Sequence, residues 1–226
     1  MFQRDNDIHA SAPLQAALGA QTAWMMQKLQ RCAGEHALLL CASKLDRAPV
    51  LPLLGHWVRL ELSEPSWRGD LAARVDESLP FVDDAFDLLL LRHAFEAAAS
   101  PRELLRESIR LLAPGGTLVI SGLHPLGLWA PWFHWRSRGR GLHLLSPTRL
   151  AHWLSQSGML VEQVQRIGHA WPSSSTLTSH GLGGGSYVLI ARKQRRMAVP
   201  LKPRAHAQRT PVNARLSAGA RRHSTH

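Results

Sequence analysis

The chain has 226 residues, 45% of them apolar, which leaves room for one α/β domain with a proper core and an appendage. Two cysteines, Cys32 and Cys41, make no disulfide framework, no apolar run is long enough to span a bilayer, and the opening MFQRDNDIHA lacks the basic-then-apolar order of a signal peptide, so a reduced, cytoplasmic protein is expected. The net charge of +11 is uneven: ten Lys or Arg and no acid lie between Arg192 and the C terminus, leaving +1 for residues 1–191.

Taken in order, residues 13–31 have helical propensity, with Leu14, Leu18, Met25 and Leu29 able to share a face and Trp24 and Met26 near its edge. Residues 36–42 (HALLLCA) follow Gly34 and predict a first strand that buries Cys41. Residues 57–62 (WVRLEL) alternate, apolar at 58, 60 and 62, and predict a second strand with Glu61 at its carboxyl end. Residues 86–91 are a short apolar run between Asp83-Asp84 and Arg92-His93, which suits a strand covered on both faces. Ser100, Pro101 and Glu103 spell a helix start with a capping box. Leu104, Leu105, Ile109, Leu111 and Leu112 make the apolar face of that helix, and Arg102, Glu103, Arg106, Glu107 and Arg110 solvate the other. Pro114-Gly115-Gly116 ends it, and residues 117–121 are again short, β-branched and apolar. Strand, helix, strand of this size is a βαβ crossover, which implies a parallel sheet. Ser146-Pro147 opens a helix to Gln156 with Leu150, Trp153 and Leu154 inward and Gly158 as its stop; residues 159–167 and 187–191 are strand candidates. The glycine run 181–185 precedes a strand and no helix follows it, so it is a link and not a phosphate cradle.

Residues 79–122 also carry a resemblance. Leu79-Pro80-Phe81, acidic or small residues, Phe86-Asp87 with its aliphatic strand, a helix, then Pro114-Gly115-Gly116 and a second strand resemble the class I S-adenosylmethionine-dependent methyltransferases that act on small molecules. A narrower proteobacterial group is similar over roughly residues 13–193, with a glycine-poor first strand, Ser121-Gly122, Pro125, Leu128-Trp129, Tyr187-Val188 and Ala191-Arg192-Lys193 in common. The resemblance implies a Rossmann-like, seven-stranded, mostly parallel sheet flanked by helices, its last strand antiparallel. It further implies S-adenosylmethionine across the strand ends and methyl transfer to an unidentified small molecule. The domain would cover residues 1–192, with a helical cap over 1–33 and a lid insertion over 123–146.

The resemblance also implies roles for particular residues. The turn at Cys41, Ala42 and Ser43 would meet the amino-acid end of the cofactor, although the family's glycine-rich turn is missing and no glycine occurs between Gly34 and Gly55. Glu61 would accept from the ribose hydroxyls, with Glu64 as a displaced second, because a carboxylate offers acceptors only. Asp76 or Glu77 would lie beside the adenine, and Leu79, Leu91 and Arg92 would line the cofactor. His93, in the loop after the fourth strand, is the candidate general base, next to a cofactor-wall or packing role. Trp129, Trp132, Trp135 and Arg136 would contact the acceptor, or the segment packs as a lid, rests on a membrane surface, or stacks on single-stranded nucleic acid.

The thirteen histidines show no zinc-ligand spacing, so no metal site is expected. The basic tail, residues 193–226, has no apolar periodicity and is expected to be disordered, free to attract a polyanion such as RNA or an anionic membrane or to touch nothing specifically. The altered first turn leaves a second reading open, that of a catalytically silent relative acting as a binding or regulatory protein.

Overall fold

Four apolar strands make the parallel centre of the molecule: β1 (Gly34–Cys41), β2 (Leu54–Ser63), β5 (Phe86–Arg92) and β6 (Leu112–Leu123). The computed structural model describes residues 8–63, 65–137, 143–173 and 184–195. Its sheet has the order β4-β3-β2-β1-β5-β6-β8-β7, where β3 is Ser66–Gly69, β4 Ala73–Arg74, β7 Met159–Ile167 and β8 Ser186–Lys193. β2, β1, β5 and β6 pair in parallel, and β8 runs antiparallel to both β6 and β7. The Rossmann-like architecture and the closing antiparallel pair agree with the sequence. Among the described residues the count is eight strands and not seven, because the edge beyond β2 is the short antiparallel ladder β3-β4, which the alternation of residues 66–74 is too brief to reveal.

Both faces of the centre are apolar, as the continuous runs of β1 and β5 require. One face buries Leu38, Leu40, Leu89 and Leu91 beneath α3 (Pro101–Leu111) and α5 (Pro147–Gln156), while the short helix α2 (Ala94–Ala97) inserts Phe95. The other buries Leu39, Cys41, Leu88 and Leu90 beneath α1 (Ala12–Leu29), through Trp24, Met25 and Leu29. No helix interrupts residues 42–53 between β1 and β2; the chain crosses through turns at 44–45 and 52–53 and adds Leu51 to the α1-side core. A third cluster joins Leu14 and Ala17 of α1 to Trp129 and Phe133 of α4 (Trp129–Arg136) and to Ile8 of a preceding 3-10 turn (Ile8–Ala10).

Two local expectations are corrected. Ser100 makes no side-chain cap and Glu103 pairs with Arg106 at 2.9 Å, so the capping box does not form; Ser146 does cap α5, accepting from Arg149 N–H at 3.2 Å. Pro114-Gly115-Gly116 does not separate helix from strand, since β6 already starts at Leu112. The register jumps from Phe86↔Leu112 to Leu88↔Thr117, and Gly115 at φ +87° takes the left-handed turn of this bulge.

The Leu79-Pro80-Phe81 motif has a physical reason. Glu107 of α3 accepts the Leu79 N–H at 2.7 Å, and Arg110 donates to the carbonyls of Leu79 and Phe81 and to Asp83. The turn into β5 is thus fastened to the helix that follows it.

Candidate functional site

The chain leaves β1 for β2 on one side and later returns for β5 on the other, so the sheet's switch point lies between the carboxyl ends of β1 and β5. Open α/β sheets bind ligands at such a point. Here it holds a buried pair of opposite charges: Arg92, the last residue of β5, and Asp46, from the β1–β2 connection, are 6% and 5% exposed, with Arg92 Nε 3.7 Å from Asp46 Oδ1. Arg92 Nη2 donates to Thr22 Oγ1 at 2.9 Å and to Leu18 O at 3.4 Å on α1, while its Nε–H has no hydrogen-bond acceptor among the described residues.

The turn after β1 is shaped by a side chain and not by glycine. Arg59 of β2 donates from Nε to Asp46 O (2.8 Å) and from Nη2 to Ser43 O (3.1 Å) and Lys44 O (3.0 Å), drawing the turn toward β2. Ser43 is fully buried, Ala42 half-buried and bonded through its N–H to Arg92 O. The Cys41 thiol lies against Ser43 O and Leu60 O. Burial, and then the negative charge of Asp46, push it up to about 12. Glu61 sits beside Cys41 in the β1–β2 register, half-buried, 3.8 Å from Arg59 Nη2.

Asp76 and Glu77 are exposed and turned toward Arg74; the Arg74 hydrogen bonds, at 2.6 and 2.8 Å, hold Asp76 below the usual carboxylate range. They border a cavity of about 780 Å³ between the β3-β4 edge and α3, lined also by Leu62, Trp67, Leu79 and Ser100. Leu79 and Leu91 are both buried in the core on the α3 side of the sheet.

His93 is fully buried at the next position after Arg92, in the left-handed region at φ +54°. Its Nδ1 meets Glu96 Oε2 at 2.8 Å and its Nε2 meets Gln21 Oε1 at 3.2 Å. Glu96 is 2% exposed, accepts the Leu123 N–H at 2.5 Å through Oε1, and lies 3.9 Å from His9 Nε2. Burial works to raise the Glu96 pKa, but the His93 and His9 rings outweigh it and hold the carboxyl below its ordinary range. The Tyr187 hydroxyl nearby is pushed up by burial and then by Glu96. Gln21, His9, Glu96 and Asp46 were not singled out in the sequence; only Gln21 carries a signal, a polar residue on the buried stripe Leu14, Leu18, Met25.

The aromatic segment divides. Trp129 is 2% exposed and donates its Nε1–H to His169 O at 2.8 Å, Trp132 is half-buried with its ring edge-on to Trp129, and Trp135 and Arg136 are exposed. Arg138, Arg140, Glu64 and tail residues 196–226 lie outside the described residues. Among the described residues no helix is long and apolar enough to cross a membrane.

Comparison with known proteins follows the same lines. A family described as methyltransferase domain matches residues 22–164. The uncharacterized protein YafS of Escherichia coli (strain K12) is 29% identical over 153 residues, 64% of this chain and 62% of that protein. A demethylmenaquinone methyltransferase of Clavibacter sepedonicus is 31% identical over 103 residues, 45% of this chain and 40% of its own. The chain thus spans less than two thirds of the length of these curated relatives. The Burkholderia thailandensis 1,6-didemethyltoxoflavin-N1-methyltransferase, solved with 1,6-didemethyltoxoflavin and S-adenosylhomocysteine, is similar in fold, with a TM-score of 0.52 at 20% identity over 84% of this chain and 82% of that one. With a family match over more than half of its length, the chain belongs to the methyltransferase-domain family, and its sheet has the fold of the solved Burkholderia methyltransferase.

Proposed function

We propose that this protein transfers a methyl group from S-adenosylmethionine to a small molecule. The observation that carries the reading is the buried Arg92–Asp46 pair at the switch point, with a guanidinium Nε–H that has no acceptor. A buried polar group without a partner is costly, and a zwitterion is the complement of such a pair. Arg92 would take the carboxylate of the cofactor's amino-acid end and Asp46 its ammonium, with α1 covering both. Glu61 would accept from the ribose hydroxyls, and the cavity beside Asp76 and Leu79 would take the adenine side. When bound, the cofactor supplies a sulfonium methyl that leaves by direct displacement, so the protein's part is to hold two reactants in line and exclude water. His93, enclosed by Glu96 and Gln21, would position the β5 loop in this reading. Trp135 and Arg136 are the residues of the aromatic segment open to an acceptor.

The turn closed by Arg59, with neither glycine nor helix after β1, favours a second reading, the catalytically silent relative. A polyanion bound by the tail is a further proposal, resting on the ten basic residues from Arg192 onward. To test the first reading, the protein is incubated with methyl-labelled S-adenosylmethionine and a bacterial small-molecule extract. Label appearing in an extracted compound supports methyl transfer. Label that stays on a cofactor which nevertheless binds supports the silent relative.

A further inference from the structure

We propose that His9, His93 and Glu96 form a buried site for a divalent transition-metal ion, zinc by its ligand chemistry. One ligand atom from each residue lies within 4.8 Å of the others, and the three are 4%, 0% and 2% exposed. Two imidazole nitrogens and a carboxylate oxygen are the donor set of three-ligand zinc sites, which leave a coordination position for water or substrate. The inference does not rest on the methyl-donor reading, in which Arg92, Asp46 and Glu61 hold the cofactor and His93 only positions the β5 loop.

The hydrogen bonds around the cluster point the lone pairs inward. Gln21 Nε2 donates to the Gly122 carbonyl at 3.5 Å, which turns its Oε1 toward His93 Nε2 at 3.2 Å. With the amide in this orientation its oxygen only accepts, so Nε2 would carry the proton and a neutral His93 would keep its lone pair on Nδ1. That lone pair faces Glu96 Oε2 at 2.8 Å, a separation two bare acceptors do not hold. What lies between them is a metal ion, a second proton on the ring, or, with the Gln21 amide turned over, the Nδ1–H of the other tautomer. The surroundings favour the metal. A metal-bound histidine commonly gives its other N–H to an oxygen acceptor, as His93 does to Gln21, and ligating carboxylates are themselves hydrogen-bonded, as Glu96 is by Leu123 N–H. His9, brought in by the 3-10 turn before α1, adds a second imidazole on the same carboxylate oxygen at 3.9 Å. The ligands come from two segments more than eighty residues apart, His9 at the start and the His93–Glu96 pair, which is why no spacing in the sequence announces them.

The test uses the full chain, stripped with a chelator and dialysed, then titrated with Zn²⁺ by calorimetry and with Co²⁺ by visible absorption. The expected result is a site holding about one ion per chain, with tetrahedral Co²⁺ bands, and a thermal midpoint that rises with metal. His9→Gln should weaken this site at least about tenfold and abolish the Co²⁺ bands, and Gln21→Leu should weaken it by about 10–100-fold. His9→Gln lies in a three-residue turn, and a near-UV spectrum unchanged from wild type shows that it folds. The proposal is overturned if the stripped protein binds no metal, or if folded His9→Gln binds Zn²⁺ and Co²⁺ as wild type does; the cluster is then a histidine–carboxylate hydrogen bond alone, and any bound metal belongs to other histidines.

Discussion

Arg92 Nε approaches Asp46 Oδ1 to 3.7 Å inside the protein, yet the two do not form a hydrogen bond. A buried ion pair this loose leaves the Arg92 Nε–H uncompensated, which suits a place that an anionic group completes. Asp46→Ala leaves the guanidinium alone and should destabilise the fold by about 3–5 kcal/mol. Asp46→Asn should cost less, because the amide oxygen still faces Arg92. Denaturant unfolding of the two variants gives the comparison.

Glu107 and Arg110 should prove structural. Removing Arg110 as Arg110→Ala breaks its bonds to Glu107, Asp83 and two carbonyls of the 79–81 turn, with an expected loss of about 2–3 kcal/mol. The Arg110 hydrogen bond lowers the Glu107 pKa against the opposing effect of burial. A lowered folded pKa stabilises above the unfolded value, about 4.3, and that contribution is lost as pH falls through the folded one. Wild type should therefore exceed Glu107→Gln in stability at pH 7, and the gap should close below about pH 4. A gap independent of pH would contradict the clamp.

Cys41 should resist thiol reagents in the native protein at pH 8, because its pKa stands at about 12 and its sulfur is buried. Titrating thiols before and after adding denaturant is the check. Cys32, half-buried, should react first and slowly, and Cys41 only on unfolding.

The two tryptophans of α4 should separate cleanly. Trp129→Ala opens the cluster with Phe133 and Leu14 and removes one of the two donors to the His169 carbonyl, which keeps the Gly185 N–H, at a cost of about 3–5 kcal/mol. Trp135→Ala, at a site 58% exposed, should change stability by less than about 0.5 kcal/mol. If Trp135 meets the acceptor, its loss should raise KM for that acceptor with the thermal midpoint unchanged.

The parallel centre was legible because its strands announce themselves: Leu38 to Leu40 and Leu88 to Leu91 are runs that only a doubly covered sheet can bury. The helix over residues 101–111 was equally plain from its periodic leucines, and its cap was not, since the capping hydrogen bond depends on backbone angles at Ser100 that no residue name encodes. β3 and β4 stayed hidden because four and two residues are too few to set a period. At the candidate site, Arg92 was visible as the charge that closes an apolar run, and Glu61 as the acid that closes an alternating one. Asp46 and Arg59 were not, because their contact depends on a helix-free connection that turns between Ser43 and Asp46 at the end of β1. The His9–His93–Glu96 cluster is invisible for the same reason: contacts between distant segments are made by topology.

The most direct measurement is a calorimetric titration of wild type and Arg92→Met with S-adenosylhomocysteine, each shown folded beforehand. One-site binding to wild type, weakened at least about tenfold in Arg92→Met, is the predicted result, since one charge-assisted hydrogen bond is worth about 1.5–3 kcal/mol. Folded wild-type protein that takes up no S-adenosylhomocysteine, or two proteins that bind it equally, would contradict the account.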